Sequence, residues 1–426
     1  MKNARPGSLW ARLHLRERIR DRDTAIYGLL LVGALVFPAV VLYSTDGSTA
    51  LISQAAHAGT WVLLAIGLNV VVGFAGLLDL GYAAFFAIGA YTYALFASTQ
   101  LGSSPLHHSF HIPFWIMLFI GMCVAALAGA VLGFPTLRLR GDYLAIVTLG
   151  FGEIVPQLSF NLPDWTGGID AIGTIDQPWL PAWITGPWAG ANSIGLIQNF
   201  TCRVSWSPGD FPCYAFSFDP IAFYVLIMVL IIIAVILVTN LYRSRMGRAW
   251  MAIREDEVAA AAMGINTVTT KLLAFAIGAS FSGFAGAYYG ASIGLVSPDQ
   301  FQFIVSITVL VMVVLGGMGN ISGVIIGALA IYFILNSLIP ALPSAVQAVV
   351  NTLGLGGLNA SNGDWPGLAD ETQRLNFLIF GLILVGMMLL RPQGLFPSRV
   401  REQELKHAMA TEDEAALEAA GSAHAS

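Results

Sequence analysis

Charged side chains are scarce in this chain of 426 residues. Asp, Glu, Lys and Arg make up 11% of it and hydrophobic residues 56%, whereas an ordinary soluble domain has about 25% charged residues. Several apolar runs reach the length of about 20 residues that a helix needs to cross a bilayer. Because only helices and closed barrels satisfy their backbone groups in lipid, and the runs lack the alternation of barrel strands, the sequence predicts an all-α integral membrane protein.

Lysine is almost absent. Lys2, Lys271 and Lys406 are the three lysines, and none follows a glycine. A phosphate-binding loop of the GxxxxGK[ST] type is therefore excluded. Ionisable residues inside the apolar runs are also rare, with Glu153 as the main example, whereas proton- and sodium-driven carriers use buried carboxylates or cation pairs. We expect a transport pathway without its own ATPase site or cofactor, energised by another protein.

Cysteine and histidine are few, which limits disulfides and metal sites. Cys202 and Cys213 share a predicted outer loop, where a disulfide and two unlinked thiols are both open readings. The histidines of "PLHHSFH" have no cysteine or carboxylate near them in sequence, so a solvated loop is favoured and no metal site is predicted. A membrane-embedded enzyme is disfavoured, since no Ser/His/Asp order or CxxC motif is present.

Ten membrane spans are predicted. They cover residues 24–43, 51–72, 81–99, 113–133, 143–160, 220–241, 271–293, 301–316, 321–340 and 375–391. With the N-terminus inside, 18 of the 20 Lys and Arg residues fall on the inner side, as the positive-inside rule requires. Both termini are thus expected in the cytoplasm. The domain organisation is a basic N-terminal segment 1–23, a membrane domain 24–392 and a polar tail 393–426.

Some of these helices are expected to be broken or re-entrant. Irregular backbone at membrane depth is tolerated only where it lines protein or water, so the breaks mark a candidate translocation pathway. The candidate residues are Gly73, Gly76, Asp79, Gly81, Glu153, Gly316, Gly317, Gly319 and Asn320. For Glu153 we expect a polar break after "TLGFG", where the carboxylate accepts backbone hydrogen bonds. Long outer loops are predicted at 161–219 and 341–374.

The longest inner loop, 242–270, contains "AWMAIREDEVAAAAMGIN". Asp256 is expected to cap a short helix with Glu257 in its first turn, and Gly264 to end it. Trp250, Ile253 and Val258 are expected to make apolar contacts. The arginines of the loop, Arg243, Arg245, Arg248 and Arg254, suit an anionic membrane surface. A loop lying on the bilayer is one reading, but four alanines in place of Leu or Phe favour insertion into a protein groove.

The stretch "GRAWMAIREDEVAAAAMGINTVTTKLLAF" resembles the cytoplasmic coupling loop of permease subunits of branched-chain amino-acid ABC importers. Three further segments, "GLNVVVGFAGLLDLGYAAFFAIGAY", "GFPTLRLRGDYLAIVTLGFGEIV" and "RPQGLFP", are similar to the larger of the two permease types in these systems. One position departs from the general importer pattern, because Val258 stands where a Glu precedes the alanines.

The resemblance implies a bacterial inner-membrane protein that works with a homologous second permease, two ATP-binding subunits that hold ATP and Mg²⁺, and a periplasmic solute-binding protein, without nucleic acid. It places the contact with the ATPase at Arg254, Glu255, Asp256, Glu257, Val258, Ala259, Ala260 and Gly264. The expected solutes are branched-chain or related aliphatic amino acids. Urea or short amides, and a stand-alone channel or facilitator that needs no ATPase, are the alternatives.

Overall fold

A computed structural model describes residues 9–44, 49–103, 111–136, 142–176, 178–181, 213–215, 220–352 and isolated positions between 378 and 389. Residues 9–26, 103, 136, 142, 179–181 and 213–215 are described by their backbone only. The helices are α1 Leu9–Ser44, α2 Ala50–Leu68, α3 Tyr82–Phe96, α4 Gln100–Ser103, α5 Phe114–Thr136, α6 Asp142–Asn161, α7 Pro163–Thr166, α8 Pro220–Arg243, α9 Arg245–Glu255, α10 Glu257–Ala262, α11 Thr267–Ile293, α12 Phe303–Gly316, α13 Ile321–Phe333 and α14 Ile339–Thr352. Asn69–Phe74 and Ile334–Leu338 are π-helical, and Gly168–Asp170 and Pro298–Phe301 are 3₁₀ turns.

Eight helices in the described part of the chain are long and apolar enough to cross a membrane. They are Tyr27–Ser44, Ala50–Phe74, Phe114–Pro135, Tyr143–Asn161, Pro220–Arg243, Thr267–Ile293, Pro298–Gly316 and Ile321–Thr352. The predicted third span, 81–99, contains the 15-residue α3, about 22 Å long and shorter than the hydrocarbon core of about 30 Å. Most of the predicted tenth span, 375–391, lies outside the described residues. The chain is thus a multi-pass helical membrane protein.

Helix α11 lies at the centre of the packing, against α5, α3 and α2. Glycines allow these backbones to touch. A Cβ added to Gly89 of α3 would lie 2.2 Å from the carbonyl oxygen of Gly283 in α11, and one on Gly283 would lie 2.6 Å from the carbonyl oxygen of Gly121 in α5. Small residues are the usual means of close helix contact in lipid, and here they fix α3 and α5 to the central helix.

Helix α1 is attached to α8 through an unsatisfied carbonyl. Pro38 lies inside α1 and has no N–H to donate to the carbonyl of Ala34, four residues earlier. The Tyr224 hydroxyl of α8 donates to that carbonyl instead, at 2.8 Å. The Tyr224 ring also lies 6.0 Å, between centroids, from that of Phe37. A proline in one helix is therefore matched by a tyrosine in its neighbour.

The end of the molecule opposite α9 and α10 carries the predicted outer loops. A short antiparallel pair, β1 Trp179–Pro181 and β2 Cys213–Ala215, departs from the all-α prediction. Ile172 pairs with Val296 through backbone hydrogen bonds of 2.9 Å in both directions, which ties the first of these loops to the segment after α11. Cys202 lies outside the described residues, so the possible disulfide with Cys213 stays a prediction.

Two expectations for this end are corrected. Helix α14 continues to Thr352, so the predicted loop 341–374 begins as helix, and its remainder, 353–374, lies outside the described residues. His111, expected in a solvated loop, is half-buried, and its Nδ1 lies 2.5 Å from Oδ2 of Asp176. Burial raises the pKa of the Asp176 carboxyl, while the His111 contact lowers it by a smaller amount. The two residues are 65 positions apart, which hid the pairing from the sequence.

Candidate functional site

The charged inner loop folds into α9 and α10, which meet at Asp256. Ser244 caps α9 by accepting from the Gly247 amide at 3.3 Å. Asp256 has an extended backbone, which ends α9, and its carboxylate accepts from the amides of Val258 at 2.8 Å and Ala259 at 3.0 Å. The predicted cap is therefore present. Gly264 has φ of +85°, a left-handed conformation that only glycine adopts readily, and it follows the end of α10.

Both helices are fixed to the first turn of α11. Trp250 of α9 is fully buried, and its indole Nε1 donates to the Thr270 carbonyl at 2.7 Å. The Lys271 ammonium, whose side chain is 8% exposed, lies 2.6 Å from the Glu257 carboxylate of α10. From the sequence, Lys271 was predicted only to lie on the inner side of the membrane, because no sequence pattern pairs it with Glu257. These contacts attach α9 and α10 to the central helix of the bundle.

The exposed side of α10 is apolar and mostly small. Val258 is 71% and Met263 84% exposed, and Ala259, Ala261, Ala262 and Gly264 are exposed as well. We call these six residues the α10 surface. Trp250 and Ile253 are buried, whereas Val258 is exposed and Ala260 takes the buried position of α10. The apolar contact expected of Val258 therefore stays a prediction. Glu255 and Asp256 are also exposed at the edge of this surface.

Arg254 points back into the bundle. Its Nη1 donates to the Gly73 carbonyl at 2.6 Å, at the end of the π-helical segment Asn69–Phe74, where a helix leaves carbonyls without partners. Gly76 has φ of +70°, and a Cβ there would lie 2.8 Å from Arg254 Cγ. The expectation that Arg254 lies at the membrane surface with the other arginines is therefore corrected, since its guanidinium joins α9 to the end of the second span.

The two predicted glycine breaks meet beside this contact. The chain is not helical from Ala75 to Gly81, and between α12 and α13 Gly317 and Gly319 have φ of +110° and +84°. The Asn69 side-chain oxygen accepts from the Gly319 amide at 2.9 Å. A Cβ on Gly73 would lie only 2.7 Å from the same amide nitrogen. The two breaks are therefore in direct contact, through the Asn69 side chain and the backbone at Gly73 and Gly319.

Asn69 is a residue that sequence reasoning missed. It is fully buried, and its side-chain nitrogen has no hydrogen-bond partner among the described residues. An asparagine inside the apolar run "GLNVVVGF" was the available signal. At the second break, Asn320 caps α13 by accepting from the Gly323 amide at 3.4 Å. A Cβ on Gly316 would lie 2.5 Å from the Gly323 carbonyl oxygen.

Asp79 and Gly81 hold the first break against α6. A Cβ on Gly81 would lie 2.1 Å from the Thr148 carbonyl oxygen, and the Leu80 amide donates to the Thr148 hydroxyl at 3.1 Å. Asp79 is 1% exposed, and its Oδ1 accepts from the Gly81 amide at 2.9 Å. Burial raises the pKa of the Asp79 carboxyl to about 6, although the hydrogen bond from Gly81 acts in the opposite direction.

Glu153 does not lie at a helix break. Helix α6 continues through it from Asp142 to Asn161, and its side chain is exposed on the surface of the bundle. The predicted polar break after "TLGFG" is therefore wrong. Gly152, the residue before Glu153, packs on Gly81 of the first break, but the Glu153 side chain itself lies on the exposed face of α6.

Comparison with known proteins identifies relatives of this chain. The family model described as "Branched-chain amino acid transport system / permease component" matches residues 50–388. The high-affinity branched-chain amino acid transport system permease protein LivM of Escherichia coli K12 is 37% identical over 399 residues, covering 93% of this chain and 81% of LivM. LivH of Salmonella typhimurium, a permease protein of the same kind of system, is 25% identical over 279 residues, covering 63% of this chain and 79% of LivH.

A more distant relative, the probable branched-chain amino acid transport permease protein LivM of Methanocaldococcus jannaschii, is 22% identical over 372 residues, covering 80% of this chain and 91% of that protein. No solved structure gives a significant match. The identity to LivM and the extent of the family match confirm the resemblance read from the sequence. The chain belongs to the family of permease components of branched-chain amino acid transport systems, in its larger, LivM-like type.

Proposed function

We propose that this chain is one of two homologous permease subunits of an ATP-binding-cassette importer in a bacterial inner membrane. It carries branched-chain or related aliphatic amino acids that a periplasmic binding protein delivers. Two ATP-binding subunits supply the energy and hold ATP and Mg²⁺. The excluded phosphate loop supports this division of labour, because a permease without its own ATPase site needs a partner that has one.

The α10 surface is the proposed docking site for an ATP-binding subunit. Its six small or apolar residues are exposed on a helix that is itself fixed to α11 by the Glu257–Lys271 ion pair. Small side chains allow another protein to approach the backbone closely, and an apolar patch between charged residues is typical of a protein contact rather than of a solvated helix. Glu255 and Asp256 lie at the rim of this site.

The contact that carries the coupling role is the hydrogen bond from Arg254 to the Gly73 carbonyl. A partner that moves α10 also moves α9, because Asp256 alone separates the two helices. Arg254 then acts on Gly73, and Asn69, four residues earlier, bonds to the Gly319 amide of the second break. We infer that ATP-driven motion at α10 reaches both breaks by this route and opens or closes the pathway beside them.

Docking is tested by co-purification. The chain is co-expressed with ATP-binding subunits of this importer class and purified in detergent as wild type, Met263→Asp and Ile169→Asp. Met263 is 84% exposed on the α10 surface, and Ile169 is 81% exposed at the opposite end, so the control makes the same chemical change away from the site. We expect Met263→Asp to lower the recovered ATP-binding subunit at least about tenfold, as for a central interface position.

Ile169→Asp is expected to recover the same amount as the wild type. Equal recovery with Met263→Asp would place the ATP-binding subunit elsewhere on the chain. If no ATP-binding subunit is recovered with the wild type and uptake continues without ATP, the chain is a stand-alone facilitator and the importer proposal fails.

A further inference from the structure

Glu153 lies in the middle of a membrane-spanning helix, where a charged side chain is energetically unfavourable. The segment Tyr143–Asn161 is long and apolar enough to cross a membrane, and a rise of 1.5 Å per residue puts Glu153 about 15 Å from Tyr143 and about 12 Å from Asn161. Its side chain is exposed and makes no salt bridge with another described residue. A charged carboxylate at mid-bilayer is strongly unfavourable when it faces lipid. This face of α6 therefore meets water or protein.

Two further polar residues extend this face. Gln157 and Asn161 follow Glu153 at intervals of four, so all three lie along one side of α6, and both are exposed. The Asn161 side-chain amide nitrogen donates to the Gln157 backbone carbonyl at 2.7 Å. The opposite edge of the exposed face is apolar, with Ile154 60% and Leu158 55% exposed. A polar stripe thus runs from the middle of α6 to the end that carries the first outer loop.

Gly150 is an independent indication that no described part of this chain packs over the polar stripe. It lies one turn before Glu153, and a Cβ there would meet nothing within 4 Å. By contrast, a Cβ on Gly152 would lie 3.1 Å from the Gly81 Cα. A glycine within a helix is less stable than an alanine there, and neither packing nor a positive φ explains this glycine. The missing side chain leaves free space next to the carboxylate.

We propose that the Gly150–Asn161 face of α6 lines the translocation pathway, and that the Glu153 carboxylate binds the α-ammonium group of the amino acid in transit. This inference rests on the proposed importer function and adds a binding residue to it. An ammonium group donates hydrogen bonds that a carboxylate accepts strongly in a site of low dielectric. Transport sites are mostly apolar with few well-placed polar groups, and this stripe offers that composition. Gly150 leaves room for the body of the solute.

Water access to the stripe is tested by cysteine labelling. In the reconstituted importer with Cys123, Cys202 and Cys213 changed to Ser, Glu153→Cys and Leu158→Cys are treated with a positively charged, membrane-impermeant methanethiosulfonate reagent. We expect Glu153→Cys to react at least tenfold faster than Leu158→Cys. Leu158→Cys on the apolar edge is the matched control. Equal rates, or an unreactive Glu153→Cys, would mean that lipid or a partner subunit covers Glu153, which overturns the inference.

Ammonium binding is tested by transport. Glu153→Gln keeps the size of the side chain but loses the charge, and we expect ATP-driven leucine uptake to fall about 10- to 100-fold, as for the loss of a charged hydrogen bond. Glu153→Asp should retain part of the uptake.

Failure of this inference can be distinguished from failure of the proposed importer function. Normal ATP-driven uptake by Glu153→Gln overturns this inference and leaves the proposed function intact. Absence of ATP-driven leucine uptake in the wild type overturns the proposed function, whereas the labelling rates still report whether Glu153 faces water.

Discussion

Gly73 and Gly150 are both glycines in membrane helices, but their surroundings differ in a way that sequence does not show. At Gly73 a Cβ would lie 2.0 Å from the Asn69 side-chain oxygen and 2.7 Å from the Gly319 amide nitrogen, whereas at Gly150 it would lie in open space. One glycine is required by a contact between two helix breaks. The other is free of packing constraints.

Alanine substitutions at these glycines should therefore have opposite effects on stability. Gly73→Ala forces the Asn69–Gly319 contact apart, and we expect a loss of about 1–3 kcal/mol, as for overpacking. Gly150→Ala should leave stability unchanged or raise it by about 0.5–1 kcal/mol, because alanine is the better helix former. Thermal unfolding in nanodiscs, followed by tryptophan fluorescence, measures both. An equal effect of the two substitutions would contradict the described contact at Gly73.

Asp79 predicts a dependence of stability on pH. The pKa of its carboxyl rises from 3.8 to about 6 on folding because the group is buried, so the folded chain binds this proton more tightly than the unfolded chain. The resulting stabilisation is complete below about pH 4 and is lost as the pH rises through 6. The difference between the two pKa values corresponds to about 3 kcal/mol.

Asp79→Asn removes this titration, so the unfolding temperature of the variant should fall less than that of the wild type between pH 4 and pH 7. Both proteins keep Asp176, the other described carboxyl group with a raised pKa, which therefore contributes equally to both curves. Parallel curves for the two proteins would show that Asp79 is not buried in the folded chain.

Helix α1 depends on one contact that compensates for its proline. Tyr224→Phe keeps the ring beside Phe37 but removes the donor to the Ala34 carbonyl, and we expect it to cost about 0.5–1.5 kcal/mol. In a Pro38→Ala background the helix can supply its own donor to Ala34, so Tyr224→Phe should cost less there. A double-mutant cycle on unfolding temperature measures this coupling. Additive effects would show that the hydroxyl does not serve the carbonyl freed by Pro38.

At the level of elements, the sequence predicted those features that depend on local pattern. Apolar runs located the eight long spans, and Asp256 and Gly264 marked the limits of α10, because capping and chain reversal are set by neighbouring residues. The continuous helix through Glu153 was missed, because the glycines of "TLGFG" suggest a helix break. In the structure Gly152 allows close packing on Gly81 within an unbroken helix. The inward turn of Arg254 was missed as well, because Gly73 lies 181 positions away.

At the level of the whole molecule, the contacts form one connected path. The α10 surface lies on a helix bonded to α11, Arg254 joins α9 to the first break, and Asn69 joins the first break to the second. Each of these contacts connects segments far apart in sequence, so local patterns in a single sequence do not predict them. The sequence resemblance implies which loop contacts the ATPase, and the structure adds the contacts that carry the proposed route from this loop to the membrane helices.

The most direct test of this account replaces Arg254 in the reconstituted importer, with ATP hydrolysis and leucine uptake measured on the same vesicles. Arg254→Gln loses a charged hydrogen bond to Gly73, so we expect the ATP-binding subunits to stay attached and hydrolyse ATP while uptake falls at least about tenfold. Arg248→Gln, whose guanidinium contacts only the nearby Arg243 carbonyl among the described residues, should transport normally. Full, ATP-coupled uptake by Arg254→Gln would contradict the proposed coupling route.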